Sequence, residues 1–165
     1  MFRILGTTAL ALSLLAAPSF AADMKVKAVE VSTDIGAIQN EQAAKYWGNL
    51  KPDLEAAIAA RVADRATVGQ SEEGVVISVD LNEVELSNTF QNITNLANTK
   101  LEGNVNVFDK DNTALRSFTL TVNVEQASAF FPAGTDLGAL TLDTPVYYQA
   151  MINAFADGVV QRIDG

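Results

Sequence analysis

Two apolar rows of period two flank one polar turn, and this pattern commits the chain to a sheet with one dry face and one wet face. Leu101, Gly103, Val105 and Val107 alternate with Glu102, Asn104 and Asn106. Asp109 to Thr113 (DKDNT) supplies turn residues, after which Phe118, Leu120, Val122 and Val124 alternate with Ser117, Thr119, Thr121 and Asn123. Successive side chains of a strand point to opposite faces, so the two segments predict a hairpin with an apolar inner row and a polar outer row. Antiparallel sheets tolerate water on one side. A lone hairpin is only marginally stable, so the rest of the chain must cover the inner row.

Further strands follow the same logic. Over Gly74 to Leu86, Val75, Ile77, Val79 and Leu81 alternate with Val76, Ser78, Asp80 and Asn82. Beyond Asn82 the phase flips, which predicts a β-bulge or a strand break near Asn82-Glu83. Lys25 to Asp34 reads as a first strand, with Lys27, Val29, Val31 and Thr33 on one face. Its charges place it at a sheet edge.

Helical spacing supplies the cover. Asn40 is a candidate N-cap, and Ala43, Ala44, Trp47, Leu50, Leu54, Ile58 and Val62 recur at three- and four-residue steps. Gly48 and Pro52 interrupt that stripe and predict a break around Asn49 to Lys51. Ser87 to Thr99 reads as a packed loop or short helical turn, and Gln126 to Asp143 as an irregular crossing. Thr144 and Pro145 then open a terminal helix whose stripe is Tyr148, Met151, Ile152, Phe155, Val159 and Ile163. The expectation is an α+β domain with one mainly antiparallel four-stranded sheet, in the order strand-helix-strand-strand-strand-helix. Two helices pack on one face.

The first 21 residues read as a secretory signal peptide: Arg3, an uncharged Leu/Ala-rich run from Ile4 to Ala17, then small residues at Ser19 and Ala21. Cleavage after Ala21 leaves residues 22–165 as a single domain in the periplasm or outside the cell. The chain has no Cys, so this exported domain must stand on packing without disulfides. With 11 basic against 20 acidic residues, its net charge of −9 repels phosphate backbones and makes nucleic acid an unsuitable partner. No second apolar run is long enough to span a bilayer.

His is also absent. The absence of His and Cys together removes the Ser-His-Asp triad, the Cys nucleophile and His-based metal sites. Asp80, Glu83 and Glu85 are the acid cluster available for two-carboxylate chemistry or a cation. Asp109 to Thr113 is oxygen-rich like a calcium loop, but Ala114 and Leu120 stand where an EF-hand needs Gly and Glu. Asp and Asn are also ordinary turn residues. No phosphate-binding glycine loop or serine elbow occurs. Tyr46-Trp47 and Tyr147-Tyr148 are each expected to place one ring inward and one at the core edge. Phe130 and Phe131 precede a Pro in the irregular crossing, and two adjacent rings do not readily point inward together. One is expected to plug the core end; both are the candidate partner contact.

The strand KVKAVEV, the helix through LEAAIAARV, the hairpin NVNVFDKDNTALRSFTLTV and the helix YYQAMINAFADGVV together resemble small bacterial envelope domains. Such domains occur in periplasmic lipoproteins, including those of the curli-secretion type. The chain departs from them in lacking the lipobox Cys and in having Thr113-Ala114 where their turn has Thr-Gly. The resemblance implies an envelope-associated accessory or assembly role and carries over no functional residue. The resulting expectation is a non-catalytic soluble periplasmic binding or assembly factor without cofactor or metal, with an envelope protein as its partner. A small-ligand or cation-binding protein using a cleft at a sheet end is the alternative, ahead of a carboxylate hydrolase.

Overall fold

The computed structural model describes residues 24–33, 44–45, 47–67, 73–82, 99–142 and 144–165. Strands β1 (Val26–Ser32), β2 (Val75–Leu81), β3 (Lys100–Phe108) and β4 (Ala114–Asn123) form one sheet in the order β1-β2-β3-β4. Helix α1 (Leu50–Arg61) lies between β1 and β2, and helix α2 (Pro145–Asp164) closes the chain. The pairs β2–β3 and β3–β4 are antiparallel, whereas β1 runs parallel to β2. A parallel neighbour needs a crossover, and α1 is that crossover. The expected α+β class, with a mostly antiparallel four-stranded sheet and two helices, is present; the sheet is mixed because β1 is a parallel edge strand.

The core is the inner sheet face and the two helices. Ile77, Val79, Leu101, Val105, Val107, Leu120 and Val122 are buried with Leu50, Leu54, Ile58, Met151, Phe155 and Val159. Gly103 occupies an inner-row position because Phe155 lies over it. A Cβ there would stand 3.2 Å from Phe155 Cζ, and 3.1 Å from both Asp80 O and Leu81 Cδ2. The hairpin glycine therefore seats the Phe155 ring of the terminal helix.

Two local expectations are corrected. Lys27 does not share a face with Val29 and Val31: the β1–β2 register shifts between Val26 and Ala28, so Lys27 is the extra residue of a bulge. Val26 and Val31 are buried and Lys27 is exposed, because expelling the charge costs less than burying it. Tyr147 and Tyr148 are also not split between core and edge, since both are buried. Helix α2 packs against β3, β4 and α1, so its buried stripe is wide enough to take both rings. Trp47 is buried as well and meets the Tyr148 ring edge-on at 5.1 Å. The Tyr46 side chain lies outside the described residues.

The break before Pro52 lies one step earlier than its predicted centre. Gly48 and Asn49 form a turn and α1 begins at Leu50, which leaves Pro52 in the first turn, where a missing N–H is harmless. Asp53 follows in that turn and accepts a 2.7 Å hydrogen bond from the Tyr148 hydroxyl. Burial raises the Tyr148 pKa, and the Asp53 carboxylate beside it raises it further. Tyr147 shares a 2.6 Å hydrogen bond with Thr99, and burial pushes its pKa up to about 12 despite that bond. Arg61 joins the helices by donating to Asn153 O at 3.1 Å, and Arg65, in the 3₁₀ turn that follows α1 (Ala63–Arg65), meets Asp164 at 2.6 Å. Thr144 caps α2 by accepting from Tyr147 N, as the sequence predicts.

Strand β2 ends at Leu81, and Asn82 N still donates to Glu102 O at 2.9 Å. The expected phase change at Glu83, the Ser87–Thr99 loop up to residue 98, the Asn40 cap and the signal peptide lie outside the described residues. Among the described residues no helix is long and apolar enough to cross a membrane.

Candidate ligand groove on the outer sheet face

Pairing register converts the outer face into rows that cross the strands. Most are polar and internally bonded. Ser117 Oγ donates to Asn106 Oδ1 at 2.7 Å, Thr119 Oγ1 to Asn104 Oδ1 at 2.8 Å, and Thr121 Oγ1 to Glu102 Oε2 at 3.0 Å. Ser32 Oγ donates to Asp80 Oδ1 at 2.7 Å and Asn82 Nδ2 to Glu102 Oε1 at 3.0 Å. Asp80 and Glu102 thus accept hydrogen bonds from neutral neighbours, and Glu102 Oε2 also lies 3.9 Å from Lys100 Nζ.

One row differs. Ala28 pairs with Val76, Val76 with Phe108, and Phe108 with Ala114. This apolar row lies at the end of the sheet where β3 turns into β4, and Val76 and Phe108 are only half-buried there. A second bulge places Leu115 out of register beside Ala114, and Leu115 is exposed.

A groove of about 310 Å³ opens on this row, lined by Lys27, Glu30, Gly74, Val76, Ser78, Phe108, Asp109, Lys110 and Asn112. Three backbone devices shape it. The β1 bulge sends Lys27 out to one wall. Gly74, at φ 118°, lets the start of β2 come against β1, where a Cβ would stand 3.1 Å from Lys27 N. The opposite wall is the hairpin turn: Asp109 Oδ1 accepts from Asp111 N at 2.9 Å and Thr113 N at 2.8 Å, while Asn112 takes the left-handed φ of 60° that Asn tolerates. Lys110 Nζ meets Asp111 Oδ2 at 2.6 Å, an exposed pair that is weakly held. The groove thus has an apolar floor and a rim carrying both signs of charge, a combination suited to holding and orienting a small molecule.

The sequence-level candidates separate. Asp109 and Asn112 line the groove, but one carboxylate oxygen of Asp109 is occupied by its own turn. Asp80 is exposed on the outer face, while Glu83 and Glu85 lie outside the described residues, and no three acids converge among the described residues. Phe130 and Phe131 follow the opposite end of β4, at and just after a short 3₁₀ turn (Gln126–Phe130). Both are half-buried against the core and neither lines the groove. Lys27, Glu30, Val76, Phe108 and Lys110 were not singled out from the sequence as site residues. A signal for two of them exists: Val76 and Phe108 are apolar residues in the polar phase of their strands.

No family model matches the chain, and no curated protein matches it. Among solved structures, it is similar to a candidate lipoprotein from Caulobacter crescentus, at 11% sequence identity and a TM-score of 0.40, covering 82% of this chain and 84% of that one. That likeness transfers neither residues nor function.

Proposed function

We propose that this chain is an exported, non-catalytic binding protein of the bacterial envelope, and that its binding site is the groove on the outer sheet face. The observation that carries the reading is the apolar row Ala28–Val76–Phe108–Ala114, which interrupts an otherwise polar face where a groove opens on it. The signal-like order of residues 1–21 supports export, and the absence of His and Cys supports binding without chemistry. The groove lies at a sheet end and favours a small ligand over the macromolecular contact expected at Phe130 and Phe131. About 310 Å³ stands at the lower end of small-molecule sites.

The test is thermal unfolding of the exported protein with and without the low-molecular-weight fraction of an envelope extract. A ligand at about 100 times its Kd adds about 2.7 kcal/mol, and the midpoint rises by several degrees. Val76→Arg, which fills the floor from a half-buried outer position, should remove the rise while leaving the circular dichroism spectrum unchanged. An equal rise in the variant places binding elsewhere. No rise in the wild type counts against the proposal itself.

A further inference from the structure

We infer that the groove takes an apolar α-amino acid in its zwitterionic form, an inference that rests on the groove being the binding site. Three observations select this class. The floor pairs Val76 with Phe108 in register, an apolar surface for an aliphatic or aromatic side chain and not for a bare ion. The rim carries two cations, Lys27 and Lys110, for a carboxylate, and two carboxylates, Glu30 and Asp109. Glu30 is the one assigned to an ammonium group, because Asp109 Oδ1 is bonded within its own turn; Ser78 and Asn112 add neutral hydrogen-bonding groups. The whole chain has a net charge of −9, which repels a simple anion on approach, whereas a zwitterion carries no net charge to repel.

The shape of the groove agrees. Its walls are short: one is the β1 bulge and the other the hairpin turn, and the single polar row Glu30–Ser78–Asn106–Ser117 bounds it along the strands. A side chain lying on Phe108 therefore places its α-carbon near the charged rim. A longer peptide would have to continue over that row, where Ser117 Oγ already donates to Asn106 Oδ1 at 2.7 Å.

The experiment is isothermal titration of the exported protein with L-phenylalanine, N-acetyl-L-phenylalanine and L-phenylalaninamide. The second lacks the ammonium charge and the third the carboxylate. Phenylalanine should bind, and each blocked form should bind about tenfold or more weakly, since each loses a charge-assisted contact. Glu30→Gln should narrow the gap between phenylalanine and its N-acetyl form, and Lys110→Ala the gap to the amide, with unfolding midpoints unchanged because both side chains are exposed. Equal binding of all three compounds, abolished by Val76→Arg, overturns the zwitterion and leaves the groove as the site. Silence to all three compounds also overturns the zwitterion. The groove reading then stands only if the extract still raises the midpoint in a Val76-dependent way, and falls if it does not.

Discussion

Replacing Phe155 by Ala tests how the terminal helix is seated on the sheet. Phe155 has no exposed surface, and its ring tip lies over Gly103 in the inner row of β3. Truncating a fully buried Phe removes its transfer free energy and leaves a cavity that close packing cannot readily close, at a cost of about 3–5 kcal/mol. That is a large share of the roughly 5–15 kcal/mol that holds an ordinary domain folded. Gly103→Ala probes the same contact from the sheet side. The added methyl meets Phe155 Cζ at 3.2 Å as well as Asp80 O and Leu81 Cδ2 at 3.1 Å. Overpacking of about 1–3 kcal/mol is partly offset by about 0.4–1 kcal/mol from the less flexible unfolded chain. When Phe155 is already Ala, one of the three close contacts is gone, so the double variant should be less destabilised than the sum by about 0.5–1.5 kcal/mol. Urea unfolding followed by circular dichroism and by the fluorescence of Trp47, the single Trp, measures all four corners of the cycle. A Phe155→Ala cost below about 1 kcal/mol, or strict additivity within about 0.3 kcal/mol, would refute the packing argument.

Other consequences are direct. Thr121→Ala, on the polar face, should cost well under about 1 kcal/mol by the same urea titration, since Glu102 keeps water and Asn82 as partners. Asp109→Ala removes the acceptor of two backbone N–H groups in the hairpin turn and should cost about 0.5–2 kcal/mol, with the loss seen as faster amide exchange at Asp111 and Thr113. The raised pKa values of Tyr147 and Tyr148 contribute stability that is fully present below about pH 10, the unfolded tyrosine value, and is lost as pH rises through the folded values, about 12 for Tyr147. Their tyrosinate absorbance should therefore appear together with the loss of circular dichroism; ionisation of all tyrosines in a still-folded protein would contradict their burial. Export predicts a processed N-terminus of Ala22-Asp23, and finding Met1 on the recovered protein refutes cleavage.

Much of the scaffold is legible in the sequence because one wet sheet face leaves a period of two. Val75 to Leu81, Leu101 to Val107 and Phe118 to Val122 show it, and the stripe from Tyr148 to Ile163 shows the covering helix. What is not legible depends on register. Nothing local announces that Lys27 is the residue expelled from β1, because the bulge is decided by how Val26, Val29 and Val31 all reach the inner face beside β2. The parallel sense of β1 likewise follows from the α1 crossover and not from the strand itself. Tyr147 escaped the helical stripe because a stripe drawn for one packing partner is too narrow for a helix touching both the sheet and α1. The groove was hidden for the same reason: Ala28, Val76, Phe108 and Ala114 come from four strands and become neighbours only once pairing is fixed. The double Phe is an irregularity visible in the sequence, and both rings are half-buried against the core.

Amide chemical shifts of the isotope-labelled exported protein, recorded while the small-molecule envelope fraction is titrated in, test the central claim most directly. The account predicts saturable shifts at Ala28, Val76, Phe108, Asn112 and Ala114, with little change at Phe130 and Phe131. Shifts centred on Phe130 and Phe131, with the groove residues still, would contradict it.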